Sequence, residues 1–92
     1  MIIGSLKVSL LLREARSLKD KRQIVRSIID RLKNEYNLSI AEVEELDNPR
    51  MAELGMAMVG WDTKAIRDKL QSIADALRRH PIAEFVKCEL EV

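Results

Sequence analysis

Cysteine is nearly absent from this chain of 92 residues: Cys88 stands alone. No intrachain disulfide, paired-cysteine redox motif or thiolate metal cluster can therefore be assembled. The single histidine, His80, has no second imidazole to complete a metal site or a catalytic pair. Aromatic residues amount to 3% of the chain, too few for RNA recognition that stacks bases on pairs of exposed rings. The three glycines never fall into a phosphate-loop spacing. No apolar run approaches the roughly 20 residues that a membrane-crossing helix needs. An excess of one charge sign is also missing. The net charge of +1 excludes a globally basic polymer-binding protein and leaves only local arrangement to supply an electrostatic site. The N-terminal segment "MIIGSLKVSLLLR" has neither a basic leader nor a small-residue cleavage site, so the expected location is cytoplasmic, with no membrane partner.

What is present reads as a globular domain. Hydrophobic residues make up 47% and charged residues 34% of the sequence, too apolar for disorder, and the length suits one core, so residues 1–92 are expected to form a single domain. Hydrophobic period changes from two to 3.6 and back along the chain. Residues 2–12 alternate, with Leu6, Val8, Leu10 and Leu12 on one face and Ser5, Lys7 and Ser9 on the other. Ser17 followed by Asp20 has the spacing of a capping box, and Val25, Ile28, Ile29 and Leu32 then recur at helical intervals, predicting a helix from about Leu18 to Glu35. "NLSIAEVEEL" is a second strand of mixed phase, which a bulge would explain. "DNPR" is a turn, and "MAELGMAMVGW" is a third strand with Leu54, Met56 and Met58 inward. Asp62 or Thr63 caps a second helix with the stripe Ile66, Leu70, Ile73 and Leu77, stopped by Pro81. "EFVKCELEV" closes as a fourth strand with Val86, Cys88, Leu90 and Val92 on its apolar face.

The order β-α-β-β-α-β predicts an α+β, ferredoxin-like sandwich: a four-stranded antiparallel sheet with both helices on one face. Right-handed crossovers favour the spatial strand order 4-1-3-2. This topology sends three distant connections to one end of the sheet. Arg13, Arg16, Lys19, Lys21, Arg22 and Arg26 arrive from the first connection and the helix it opens, Arg50 from the second, and Arg78, Arg79 and His80 from the third. At about 100° per residue, Lys19, Arg22, Arg26 and Lys33 fall within an arc of about 60° on the first helix. Lys21 is the exception. It projects into the apolar arc, where it must either extend past the sheet or pair with an acid such as Glu44 or Asp47. Two readings of the cluster stand: an anion site at the start of the first helix, suited to phosphate, or an ion-pair network that solvates one end of the domain.

The uncovered face of the sheet forms a second candidate surface. Ser5, Lys7 and Ser9 lie beside Gly55 and Ala57, a face with little relief, with Phe85 the only aromatic expected to reach it. Glu42, Glu44, Lys87, Glu89 and Glu91 are expected on the same side of the edge strands, where charge discourages open-ended pairing. Such a face suits a partner protein or a second copy forming a homodimer. His80 reads as a helix-end cap, Cys88 and the methionines as packing, and Trp61 as packing at the start of the second helix.

The segments "MIIGSLKVSLLL", "ARSLKDKRQIVRSIIDRLKNEYNLSIAEV" and "AELGMAMV" resemble corresponding blocks of the YlxP-like family of small bacterial proteins, a domain of unknown function. The resemblance covers nearly the whole chain. It implies a ferredoxin-like fold and association with translation, since members are often encoded beside initiation and ribosome-maturation factors, but no catalytic residues. With no nucleophile–base set, metal spacing or cofactor motif, the expectation is a non-enzymatic binding module. Its partners would be structured RNA or ribosomal components on the basic rim, or a protein on the open sheet face.

Overall fold

The computed structural model describes residues 1–92. Its elements, in chain order, are β1 (Ile2–Leu11), α1 (Leu18–Glu35), β2 (Ser39–Glu44), β3 (Met51–Gly60), α2 (Thr63–Arg78) and β4 (Glu84–Glu91). Each pairing between neighbouring strands is antiparallel, in the order β2-β3-β1-β4, the expected ferredoxin-like arrangement read from its other edge. The long central strands β1 and β3 pair from Ile2 opposite Gly60 to Leu11 opposite Met51. Leu6, Val8 and Leu10 of β1 and Leu54, Met56 and Met58 of β3 turn one way, and both helices close over them. From α1 come Val25, Ile28 and Leu32; from α2 come Ile66, Leu70, Ile73, Ala74 and Leu77. Each fully buried leucine or isoleucine in this layer contributes roughly 2 kcal/mol through removal of its apolar surface from water.

Local signals place the helix starts. Ser17 has extended backbone, and its Oγ accepts the Asp20 N–H at 3.1 Å, while Asp20 Oδ2 accepts the Arg16 N–H at 2.9 Å. The aspartate thus reaches one residue further back than in the usual reciprocal box. Asp62 caps α2 by accepting the Lys64 N–H at 3.2 Å.

Helix α2 lies very close to β1 at Gly4. A Cβ there would stand 2.5 Å from Ile66 Cγ2 and 2.9 Å from Leu70 Cδ1, so even a methyl at this position would force those side chains to shift.

Two irregularities reset the phase of the edge strands. In β2 the register shifts between Glu42 and Glu44, the bulge that the mixed pattern of "NLSIAEVEEL" suggests. Ahead of the shift Glu42, in phase with Ile40, lies opposite Leu54 on the helix side rather than on the expected open face, and Val43 lies over Gly55 on the open face. In the β1–β4 pair the register shifts between Ser9 and Leu10. Phe85 is opposite Leu10 and therefore belongs to the helix side, packed on the core, instead of reaching the open face. The extra residue is Val86, expected on the apolar side and found half exposed. Beyond the shift the alternation recovers, with Cys88 and Leu90 against the core.

Candidate functional site: a divided basic surface and an open sheet face

The three connections do converge. Leu12 N–H donates to Arg50 O at 2.7 Å, joining the end of β1 to the β2–β3 loop, and the Arg13 guanidinium lies 3.2 Å from Glu84 at the start of β4. The charges they carry are not equivalent, however.

Lys21 leaves the basic rim altogether. It follows the same helical stripe as Val25, Ile28 and Leu32, and its side chain is wholly buried. Its Nζ lies 2.8 Å from Glu42 Oε2 and donates to the backbone carbonyls of Glu45 at 2.7 Å, Met51 at 3.1 Å and Leu46 at 3.3 Å. An ammonium has three N–H groups, so none remains for an external anion. Of the two fates open to it, Lys21 takes pairing, with Glu42 in place of Glu44 or Asp47. The β2–β3 loop is gathered around this charge. Glu45, whose φ of 60° makes it the only non-glycine residue in the left-handed region, presents its carbonyl directly to the ammonium.

The remaining cations divide into two groups, on either side of α1. A groove of about 290 Å³ between the helices is lined by Ser27, Arg31 and Glu35 from α1 and by Arg79, His80 and Pro81 after α2. That groove marks the flank of α1 that faces α2. Lys19, Arg22 and Arg26 project about 150° around the helix from it, toward the outer side. All three are exposed, and none forms an ion pair; nor do Arg16, Arg78 and Arg79. On the other side, Arg78 lies over the Phe85 ring at 4.1 Å from its centroid, and a hollow of about 380 Å³ is lined by Arg13, Glu14, Arg78 and the segment from His80 to Phe85. Arg13 is already paired with Glu84. The α1 N-terminus holds its own anion, Asp20, which occupies part of the positive end of the helix dipole.

His80 has a structural role that its position at a helix end only partly announces. Its Nδ1 accepts the N–H groups of Ala83 at 3.0 Å and Ile82 at 3.2 Å, holding the turn into β4. Burial, then the nearby Arg31 charge, lowers its pKa from the usual 6.5.

On the open face, Ser5, Lys7, Ser9, Gly55 and Ala57 do share one surface, but Ser9 is buried within it. Ser9 Oγ donates to Glu53 Oε1 at 2.8 Å, and Lys7 Nζ lies 3.2 Å from Glu44 and 3.5 Å from Glu53. The hydrogen bond to Glu44 raises the Lys7 pKa above its ordinary value. The adjoining Glu44 carboxyl, followed by the Ser9 hydroxyl, holds Glu53 below the ordinary range. Glu53 falls on this face by the same alternation that turns Leu54, Met56 and Met58 inward, but nothing in the sequence marks its bond to Ser9. At the far end of this face, Ile3 pairs with Val59 and both stay more than half exposed, with Trp61 exposed just beyond. No group of three or more histidine, cysteine or acidic side chains is placed to hold a metal ion, and no helix is long and apolar enough to cross a membrane.

This architecture agrees with two comparisons. The family model described as "Protein of unknown function (DUF503)" matches residues 3–90. The chain belongs to that family. It is also similar to the protein of Bacillus subtilis (strain 168) described as uncharacterized protein YlxP, at 28% identity over 83 residues, covering 90% of both chains. For this DUF503 member the YlxP-like resemblance therefore holds over nearly its full length, Lys21 and Glu42 included within the matched span.

Proposed function

We propose that this protein is a non-catalytic binding module that takes structured RNA on the outer flank of α1. The observation that carries this reading is the arrangement of Lys19, Arg22 and Arg26: exposed, clustered within one arc of the helix and free of ion pairs. Cations that no carboxylate neutralises remain available to phosphate oxygens, and Arg22 and Arg26 offer the planar fork that binds them in two-pronged fashion. Arg16 extends the patch toward the start of the helix. Arg78 and Arg13 supply a second, separate patch around Phe85, and Arg79 lies in the groove between the helices. Contacts of this kind are made to the backbone of the RNA and give little sequence discrimination, so recognition rests on the shape of a folded RNA. The ribosomal setting implied by the YlxP-like resemblance would provide such an RNA.

The test is retention of structured RNA by the purified protein over a salt series. Replacing Arg16, Lys19 and Arg22 with Glu should abolish retention while the melting temperature stays near that of the parent. Undiminished binding by that variant overturns the reading.

A second reading, a protein-interaction face, is favoured by a different observation: the exposed Ile3–Val59 pair continues into the small residues Ser5 and Ala57 on the uncovered side of the sheet. Apolar residues at the end of a flat, largely small-residue surface are suited to burial against another protein.

A further inference from the structure

Resting on that second reading, we infer that the open sheet face pairs with the same face of a second copy, about a two-fold axis running parallel to β1 and β3. The strand registers define which side chains such a pairing would bring together. Across the sheet from β2 to β4, residues on the open face form four rows. Glu44, Glu53, Ser9 and Lys87 make the first, and Ala41, Gly55, Lys7 and Glu89 the second. Ser39, Ala57, Ser5 and Glu91 make the third, and Val59 with Ile3 the last.

A two-fold axis lying between two facing sheets, parallel to the strands and passing between β1 and β3, sets β3 against the β1 of the other copy and β2 against its β4, with every row kept at its own level. Val59 then meets Ile3, burying the exposed apolar pair in both copies. Ala57 meets Ser5, small against small. Gly55 meets Lys7, whose stem would lie against the Val43 side chain that covers Gly55. Glu44 meets Lys87, acid against base, at two symmetric places on the rim. The alternative in-plane axis, perpendicular to the strands, sets Ile3 and Val59 against Ser9 and Glu53 and leaves the apolar pair on a polar network. Self-complementarity therefore selects one axis.

The dimensions fit a weak association. Four strands spaced about 4.8 Å apart, of at most ten residues each, with shorter edge strands, present roughly 550 Å² per copy, so roughly 1,100 Å² in total, just above the lower size for a specific interface. Glu53 is already buried against Ser9 and Lys7 in the single copy, and the strand axes of the two sheets lie within about 30°. Long Glu44 and Lys87 side chains span the wider gap that this crossing opens at the edges.

Sedimentation velocity and light scattering over a concentration series of the full chain test the inference. The parent should show a concentration-dependent dimer, and Ala57→Arg should be monomeric. Glu44→Lys and Lys87→Glu should each raise the dissociation constant about tenfold or more, since each creates two like-charge pairs. The double exchange should return it toward the parent. A parent that stays monomeric at every concentration, or a dimer indifferent to Ala57→Arg, overturns the inference. A dimer broken by Ala57→Arg but not restored by the double exchange overturns the two-fold axis while leaving the interaction face standing.

Discussion

The ammonium of Lys21, in the core stripe of α1, lies 2.8 Å from the carboxylate of Glu42 on β2, and both groups sit on the helix side of the sheet. Glu42 reaches that side by plain alternation from Ile40, and the bulge at Val43 comes only after it. Without the bulge Glu42 would not be followed by a return to the open face at Glu44, and the strand's polar residues could not serve both sides. Lys21 also ties down the carbonyls of Glu45, Leu46 and Met51, so one side chain orders the whole β2–β3 connection.

Replacing Lys21 with Met should destabilise the domain by about 3–5 kcal/mol, because it leaves a buried carboxylate without its partner and removes the donor from three carbonyls. The double variant Lys21→Met with Glu42→Leu should recover a large part of that loss, since no orphaned charge remains. Urea unfolding of the parent, both singles and the double provides the comparison. Strict additivity would show that the pair is not coupled.

A stability change with pH should come from His80. Its Nδ1 accepts two backbone N–H groups, and both bonds require the neutral ring. Burial and then Arg31 lower its pKa in the folded protein, so the unfolded chain takes up the proton first as pH falls. The contribution is therefore complete above the ordinary value of 6.5 and is lost as pH drops from there through the depressed folded value. Melting temperatures measured from pH 7.5 downward should show a decline that begins above the range in which carboxylates titrate. His80→Asn keeps an acceptor able to bond the N–H two residues on and should flatten that part of the curve. A decline identical in the two proteins would assign it to other groups.

Gly4→Ala should cost about 1–3 kcal/mol, because the new methyl meets Ile66 and Leu70, which are buried and must shift within the packed core. Gly55 offers a control. A Cβ there would stand 2.8 Å from Val43 Cγ1, but Val43 is half exposed and free to turn outward. Gly55→Ala should thus cost less than Gly4→Ala in the same thermal or chemical melts, and the opposite ranking would contradict the close approach of α2 to β1.

Period and topology are legible in the sequence, and the phase of the edge strands is not. Long central strands with uninterrupted alternation, such as Leu6, Val8 and Leu10, fix their face by repetition. A single inserted residue at Val43 or Val86 inverts everything beyond it, and no residue type marks such an insertion. That is why alternation carried across the insertion assigns Phe85 and Glu42 to the open face although they lie on the other. Lys21 is recognisable as anomalous from its helical angle, but its partner depends on whether Ile40 or Val43 sets the inward phase of β2. The convergence of the three connections follows from chain order alone. The division of the cations across α1 does not, because it depends on which flank α2 occupies.

That division sharpens the RNA prediction into one with two arms. Charge reversal at Lys19, Arg22 and Arg26 should weaken binding of a folded RNA and also lower the slope of log affinity against log salt, by roughly 0.7–0.9 for each phosphate that is no longer neutralised. Reversal of Arg78 and Arg79, on the far side of the same helix, should weaken binding less if the RNA lies along the outer flank. Equal losses from both arms would mean an RNA broad enough to straddle α1. Should the sheet faces pair as inferred, each dimer carries two outer flanks, both away from the shared interface. A dimer then holds an RNA long enough to span both flanks more tightly than the Ala57→Arg monomer does, whereas a short hairpin binds the two proteins alike. Filter retention with a short and a long RNA, at matched protomer concentration, separates these outcomes: a preference for the long RNA that survives Ala57→Arg would show that the second flank plays no part in holding it.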